Sequence, residues 1–414
     1  MIRPFVAIRN GVAANLAAWC KETGLRRLLI VEDETTHGVL GRAVEGSLRD
    51  AGLQPRSVVL AGPEILADAH SILQVLLSLE RGDQALVAVG SGTVTDITRF
   101  VSHRSGLPFV AMPTAPSVDG FASSGSPLIV RGIKTTASAQ PPAAIFADLA
   151  VLQAAPRSMV ASGFGDMLGK RTSVADWKLG SLLWDTPFDG EIAKRCIAAV
   201  GGIEEAAAEI SRSSREGVRR LLEALIESGF CMLDFGSSLP ASGAEHHYSH
   251  FWEMKLLREG KPAILHGAKV GVATILIAAL YRRVGQLTRD EAARLLKEYR
   301  PPSAEEERER VRIAFGPAAF EVAKTQSTFL EMPDEGWERL KQKIVDQWSV
   351  VQDIAGEVPA PERIARLLRE AGGPTNMREL GLPDSWANQA ADVSHYLRNH
   401  FTVSKLARLL SLRF

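Results

Sequence analysis

Histidines are concentrated in one short stretch of this chain: four of the nine fall within residues 246–266. His246 and His250 stand four residues apart, so on a helix they share one face. Upstream, Asp166 follows two closely spaced glycines. One carboxylate and two imidazoles suit Zn²⁺ and also accept Ni²⁺ or Fe²⁺. Three protein ligands leave coordination positions open for a substrate, so the pattern predicts a catalytic metal site.

The composition indicates an ordinary globular protein. The chain has 414 residues, of which 46% are hydrophobic and 23% charged, so two domains are expected. Lys+Arg and Asp+Glu are equal at 48 each, which gives no reason to expect nucleic acid as a partner. The longest apolar run, residues 270–281, is too short for a membrane span. Three widely spaced cysteines and an N-terminus without an apolar core favour a cytoplasmic location.

Short apolar runs alternate with helical patterns over the first 150 residues. The candidate strands are residues 28–31, 57–60, 85–89, 109–111 and 144–147, with a small hairpin around Gly132. Strands separated by helical segments predict a parallel sheet. We therefore expect an α/β domain over residues 1–154 and an all-α domain over residues 155–414, with the site in a cleft between them.

Two helices in the second half have clear start signals. Pro361 occupies a first helical position, and Gly372 follows the end of that apolar stripe. Ser303 and Glu306 form a capping box, and the charged run 305–310 that follows is interpreted as a solvated face.

A glycine turn follows the apolar run 85–89. Gly90 and Gly92 would let the backbone approach an anion, and the next helix would direct its N–H groups toward a phosphate. Thr95 replaces the third glycine of the dinucleotide fingerprint, so the pattern is not that of a Rossmann turn. A purely structural turn remains an alternative at this point.

Two further segments are typical of nucleotide sites. Asp33 lies among three acidic residues after the run 28–31, where a carboxylate can bind ribose hydroxyls and repel a 2′-phosphate. NAD(H) is therefore expected over NADP(H), although a solvated acidic turn is equally consistent. The loop 112–124 carries Asp119, two prolines and several hydroxyl side chains after another predicted strand, but it also fits a simple connection.

Taken together, these segments resemble the sn-glycerol-1-phosphate dehydrogenase family, in its bacterial branch. That family belongs with glycerol dehydrogenases, iron-type alcohol dehydrogenases and dehydroquinate synthases. The matching segments are GSGTVTD (90–96), PTAPSVDGFAS (113–123), GFGDMLGK (163–170), SGAEHHYSHFWE (242–253) and LHGAKVG (265–271). The resemblance implies a dehydroquinate synthase-like fold.

The resemblance also implies roles for individual residues. Asp166, His246 and His266 correspond to its metal ligands, His250 to a substrate-side histidine, and Asp119 to a position near the substrate hydroxyls. The residues that correspond to the cofactor site are Gly90, Gly92, Thr93, Val94, Thr95, Asp96, Thr114, Ala115, Pro116, Ser117 and Ser123. His247 has no corresponding role.

The reaction that the resemblance implies is metal-dependent hydride transfer between NAD(P)(H) and the pair dihydroxyacetone phosphate and sn-glycerol 1-phosphate. Lys170, Arg171 and Lys255 are candidates for binding the substrate phosphate. A homo-oligomer is expected. The alternatives are a dehydrogenase of glycerol or another polyol, and a lyase of the dehydroquinate synthase type that recycles NAD.

Overall fold

A computed structural model describes residues 3–62, 64–130 and 133–413. The chain forms two compact units. The first comprises Met1–Met167 and Gly201–Gly236, and the second Leu168–Val200 and Ser237–Phe414. The expected domain boundary after residue 154 stays a prediction.

A six-stranded parallel sheet forms the centre of the first unit. Its strands, with those of a separate hairpin, are β1 (Phe5–Arg9), β2 (Arg27–Asp33), β3 (Gln54–Leu60), β4 (Ala85–Gly90), β5 (Phe109–Pro113), β6 (Gly125–Val130), β7 (Ile133–Ser138) and β8 (Ala144–Asp148). The sheet order is β1-β8-β5-β4-β2-β3, and every pair is parallel. All five candidate strands are confirmed, and β1 was not predicted.

The predicted hairpin is confirmed as the antiparallel pair β6–β7, in which Gly125 lies opposite Ser138. Gly132 itself lies outside the described residues.

Helices cover the faces of the sheet and form the second unit. They are α1 (Val12–Glu22), α2 (Glu34–Thr36), α3 (Arg42–Asp50), α4 (Ala69–Ser78), α5 (Gly92–Ser105), α6 (Leu149–Gln153), α7 (Arg157–Leu168), α8 (Lys170–Trp184), α9 (Gly190–Glu205), α10 (Ala207–Ser211), α11 (Arg215–Phe235), α12 (Ala244–Arg258), α13 (His266–Gln286), α14 (Arg289–Glu298), α15 (Ala304–Phe315), α16 (Ala319–Thr325), α17 (Ser327–Leu330), α18 (Asp334–Asp346), α19 (Trp348–Glu357), α20 (Pro361–Glu370), α21 (Ser385–Val393) and α22 (Val403–Leu409). A π-helical turn (His37–Gly41) joins α2 to α3, and 3₁₀ turns span Gly120–Ala122, Gly316–Ala318 and Ser394–Tyr396.

The four central strands of the sheet are buried on both faces. In β4, Leu86 and Ala88 belong to one hydrophobic cluster, whereas Val87 and Val89 belong to another. Because alternate residues of a strand point to opposite faces, helices must cover both sides of the sheet. This explains why the strands read as continuous apolar runs.

The predicted helix starts are confirmed. Pro361 is the first residue of α20, and Ser303 and Glu306 form the capping box of α15. The charged run 305–310 differs from expectation at one position, because Glu307 is buried and accepts hydrogen bonds from Tyr396 and Arg408.

Within the described ranges, no single helix is both long and apolar enough to cross a membrane. The pair formed by α13 and α14 passes that test only jointly, with a bend of 108°.

Arg99 joins α5 to the loop before β6. It is fully buried, and its guanidinium donates to Asp96 Oδ1 at 2.7 Å and to the carbonyl oxygens of Gly120, Phe121 and Gly125 at 2.5, 3.2 and 3.0 Å. One side chain therefore joins α5, the helix that follows the glycine turn, to the proline-rich loop.

Replacing Arg99 with Met should lower the unfolding free energy by roughly 3 kcal/mol, because the largely buried Asp96 carboxylate and the carbonyl groups would lose their donor. Urea unfolding of R99M measures this, with R104M as the control, since Arg104 lies exposed on the same helix. Equal effects of the two substitutions would contradict the role given to Arg99.

Candidate functional site

The structure brings together one carboxylate and two imidazoles from three helices. Asp166 lies near the end of α7, His246 in the first turn of α12, and His266 at the start of α13. One ligand atom from each lies within 4.8 Å of the other two. Asp166 is completely buried and His246 is nearly so. This donor set and spacing fit one divalent cation with open coordination positions.

The first turn of α12 is fixed by Asp176 of α8. Its Oδ2 accepts a hydrogen bond of 2.7 Å from the Ala244 amide, which satisfies one of the free N–H groups of the helix start. Its Oδ1 accepts from the Tyr281 hydroxyl at 2.7 Å and from the Val403 amide at 2.6 Å. Burial, and secondly the charge of Glu245, raise the pKa of Asp176 to about 7.

Gly243 permits this close packing. A Cβ atom at that position would lie 2.7 Å from Asp176 Oδ2 and 2.8 Å from Ser173 Cα. No larger residue fits without moving α12 away from α8, so the glycine before the histidines has a packing role.

Glu245 holds the ring of His246. Glu245 is fully buried, and its Oε1 lies 2.7 Å from His246 Nδ1 and accepts from the Gly243 amide at 2.8 Å. Its Oε2 accepts from the Thr172 hydroxyl at 2.7 Å. Burial alone would raise the pKa of Glu245, but these donors, His246 first among them, hold the pKa below its usual value. An ionised Glu245 keeps the proton of His246 on Nδ1 and leaves Nε2 available for an ion.

His250 lies next to the ligand set. Its ring centroid is 6.2 Å from that of His246 and 5.7 Å from that of His266. It is half-buried, so it retains contact with solvent. An imidazole in this position can exchange a proton with a bound molecule. His247 points elsewhere: it is buried, with its ring 6.2 Å from that of His400, and burial lowers its pKa.

Asp119 contacts Asp166 through its main chain. The Asp119 amide donates to Asp166 Oδ2 at 3.0 Å, and its own Oδ2 accepts from the Ser228 hydroxyl at 2.9 Å. The amide therefore orients the carboxylate of the ligand set. Asp119 is buried, which limits direct access of its side chain to solvent.

The loop that carries Asp119 packs tightly on α7 and α11. A Cβ atom at Gly163 would lie 1.9 Å from the Pro116 carbonyl oxygen, and one at Gly229 would lie 3.0 Å from the Asp119 carbonyl oxygen. The Ser162 hydroxyl donates to the Ser117 carbonyl oxygen at 3.2 Å. Gly163, the first glycine of the GFGD segment, thus lets the loop lie close to α7, the helix that carries Asp166.

The glycine turn after β4 has the form expected of an anion site. Gly90 ends the strand and Gly92 begins α5, while Ser91 caps the helix without a side-chain hydrogen bond. Val94 and Thr95 are buried, and a Cβ atom at Gly90 would lie 2.6 Å from Val94 Cβ. Free backbone N–H groups at a helix start suit a phosphate, so these residues would bind it through the main chain.

The remaining predicted cofactor residues differ in their contacts and burial. Asp96 is engaged by Arg99, and the Ser123 hydroxyl donates to the carbonyl oxygens of Gly120 and Gly125 at 3.1 and 3.4 Å. The Thr114 amide donates to the Gly90 carbonyl oxygen at 3.2 Å, which brings the two segments side by side. The other predicted loop residues, Thr114, Ala115, Pro116 and Ser117, are all buried.

Asp33 caps the short helix α2. Its Oδ1 accepts from the Thr36 amide at 2.8 Å, so one of its oxygens is already used. The neighbouring Glu32 is fully buried and lies 2.7 Å from His37 Nδ1 through its Oε1. His37 is half-buried beside this carboxylate. Glu32 and Asp33 are the last two residues of β2, the strand that pairs with β4.

The family described as iron-containing alcohol dehydrogenase matches residues 7–156. A glycerol-1-phosphate dehydrogenase [NAD(P)+] from Halalkalibacterium halodurans is 38% identical over 391 residues, which cover 94% of this chain and 88% of the relative. The chain belongs to the glycerol-1-phosphate dehydrogenase family. An enzyme of the same name from Bacillus subtilis is 36% identical, over 96% of this chain and 89% of its own.

Solved structures show the same fold. A probable glycerol dehydrogenase from Sinorhizobium meliloti superposes with a TM-score of 0.63 at 17% identity, over 99% of this chain and 97% of that one. These structures confirm the fold class expected from the sequence. The relatives confirm the family resemblance and the expected class of enzyme, a metal-dependent NAD(P)-linked oxidoreductase.

Sequence reasoning missed Glu245, Asp176 and Arg99, which position the site. Glu245 lies directly before His246 in the sequence, and a carboxylate beside a histidine ligand was an available signal. Asp176 and Arg99 had no comparable signal, because each acts on segments distant along the chain.

Replacing Glu245 with Gln should weaken divalent metal binding by about 10- to 100-fold, because the amide cannot stabilise the same proton position on His246 as strongly. Isothermal titration of the metal-stripped protein with Zn²⁺ measures this. E259Q is the matched control, since Glu259 is an exposed residue at the end of the same helix. Unchanged affinity in E245Q would show that the contact with His246 has no part in metal binding.

Proposed function

We propose that this enzyme reduces dihydroxyacetone phosphate to sn-glycerol 1-phosphate with NADH, using one divalent cation held by Asp166, His246 and His266. The observation that carries the proposal is the convergence of these three ligand atoms within 4.8 Å of one another. The relatives from Halalkalibacterium halodurans and Bacillus subtilis, named for this activity, support the choice of substrate.

The cation, when bound, would supply the positive charge that polarises the substrate carbonyl, and the nicotinamide would supply hydride. Asp166 and the two imidazoles would hold the cation, while Glu245 and the Asp119 amide keep His246 and Asp166 in place. His250 would deliver the proton to the substrate oxygen, since an imidazole titrates near neutral pH and lies beside the ligand set.

The cofactor part of the proposal rests on the glycine turn. Gly90, Ser91 and Gly92 would bind the pyrophosphate through the main chain at the start of α5. Asp33, with Glu32 beside it, would bind the ribose hydroxyls and repel a 2′-phosphate, which favours NAD(H) over NADP(H). A cytoplasmic location and a homo-oligomer complete the proposal. The metal is Zn²⁺, Ni²⁺ or Fe²⁺, all of which accept this ligand set.

The test of the reaction is NADH oxidation with dihydroxyacetone phosphate and with dihydroxyacetone. We expect the phosphate ester to be the better substrate, activity to cease after chelation, and one or more of the three cations to restore it. The H246A variant should stay inactive after each of the three cations is added. Equal rates with dihydroxyacetone would indicate a polyol dehydrogenase, and product formation without net NADH oxidation would indicate a lyase that recycles NAD.

Replacing Asp33 with Asn should raise the ratio of kcat/KM for NADPH to that for NADH by about tenfold, because a negative charge near the ribose is removed. Steady-state kinetics with both cofactors measures the ratio, and D50N, at the exposed end of α3, is the control. An unchanged ratio in D33N would remove Asp33 from the cofactor site.

A further inference from the structure

His247, which follows the proposed ligand His246, has no role in the proposed reaction. Its exposed fraction is 1%, and neither of its ring nitrogens has a hydrogen-bond partner among the described residues. A neutral imidazole carries one N–H donor and one acceptor, so two polar groups are left unpaired away from water. Unpaired buried groups are costly and uncommon, and they point to an ion or ligand that would satisfy them.

The C-terminal segment that packs against α12, residues 394–405, also contains unpaired polar atoms. The His400 ring lies 6.2 Å from the His247 ring, and its Nδ1 has no partner in the described part of the chain. Thr402 is buried, with an equally unpaired hydroxyl. Both residues line a pocket, in which their neighbours include Ser173, Thr186 and Ser242. The unpaired groups therefore border a space that a small molecule can enter.

Lys405 places a cation in the same segment without a counter-ion. Its exposed fraction is 1%, and its Nζ donates to the carbonyl oxygens of Arg398 and His400 at 3.0 and 2.7 Å. It forms no ion pair with a carboxylate of the described residues, whereas the buried Lys269 and Lys341 each do. An ammonium group has three N–H donors, so one remains after these two bonds. A buried charge is costly unless a partner compensates for it.

The charges around Lys405 do not supply that partner. Burial, and secondly Arg408, lower the pKa of Lys405 to about 7, and the opposing effect of Asp176 is smaller. Asp176 already accepts three hydrogen bonds, and Glu307 accepts one from Arg408. The Phe329 ring, whose centre lies 5.2 Å from Lys405 Nζ, offers only a weak cation–π contact. Positive charge therefore exceeds negative charge at this point in the second unit.

We infer that this region binds one small inorganic anion, with Lys405, His247 and His400 as its ligands. The anion would compensate for the charge of Lys405 and accept N–H groups of the imidazoles, so a single ligand accounts for both the uncompensated cation and the unpaired rings. The site lies within the second unit, between α12 and residues 394–405, and does not depend on the proposed reaction. Its occupant would connect the C-terminal segment to the helix that carries the histidines.

Thermal unfolding of the metal-loaded enzyme tests this site. Sodium chloride, sodium bromide or sodium phosphate is added at constant ionic strength, which is set with sodium gluconate. At least one of the three anions should raise the Tm of the wild type by about 2 °C or more, in a saturating manner. K405M should lose this rise, whereas K341M, which removes a buried lysine that pairs with a carboxylate, should keep it.

Phosphate also has the proposed cofactor turn as a target, so the difference between K405M and K341M decides the outcome. A response to the halides identifies a halide site, and a response to phosphate alone identifies an oxyanion site. Equal responses in the wild type and K405M, or no response to any of the three anions, would overturn the inference.

K405R and H247L separate charge from packing. K405R keeps the cation and should retain most of the rise in Tm, whereas H247L removes both ring nitrogens and should reduce the rise by about twofold or more. Crystals of the wild type give a measurement that needs no variant. After soaking in bromide or in phosphate, one of the two anions should lie within hydrogen-bonding distance of Lys405 Nζ. Crystals that hold neither anion there would contradict the assignment, whatever substrate the enzyme reduces.

Discussion

Two buried carboxylates fix the first turn of α12, and the position of His246 depends on both. Asp176 accepts a hydrogen bond from the Ala244 amide. Glu245 accepts one from the Gly243 amide and is hydrogen-bonded to His246 Nδ1. Carboxylates at a helix start are favoured by its unpaired N–H groups and its positive dipole end. Their burial makes removal of either one costly, because the groups left behind would lack partners away from water. The ring of His246 is therefore oriented before any ion arrives, which lowers the ordering cost of binding.

In the first unit, too, hydrogen bonds position a residue of the ligand set, and here main-chain groups take part in them. Arg99 donates to two carbonyl oxygens of the proline-rich loop, to that of Gly125 at the start of β6, and to the carboxylate of Asp96. In the same loop, the Asp119 amide donates to Asp166. Gly163 removes the side chain that would otherwise hold the loop away from α7. Asp96 in α5 is thus linked, through Arg99 and this loop, to the amide that contacts the Asp166 carboxylate. Residues that never contact a substrate then determine the geometry of those that do.

Much of this architecture could be predicted from the sequence, for identifiable physical reasons. Buried parallel strands such as β4 read as continuous apolar runs, and the capping residues Ser303 and Pro361 mark helix starts locally. The strand β1 was missed although it is as long as β5 and β8; it lies at the edge of the sheet, and of its residues only Ala7 is buried. The histidine spacing indicated a ligand set, but Asp176 could not be identified, because its partners at residues 244, 281 and 403 meet only in the folded chain. The charged residues around Glu307 predicted a solvated face, but Glu307 is buried because its partners Tyr396 and Arg408 reach it only in the folded chain.

The most direct test of the account is X-ray absorption spectroscopy of the enzyme loaded with one equivalent of Zn²⁺. The account predicts one ion per chain with two imidazole nitrogens at about 2.0–2.1 Å and a carboxylate oxygen at about 2.0–2.2 Å. Substitution of Asp166, His246 or His266 by Ala should remove the matching ligand or abolish binding. An unchanged spectrum in all three variants, or a coordination shell containing sulfur, would contradict it.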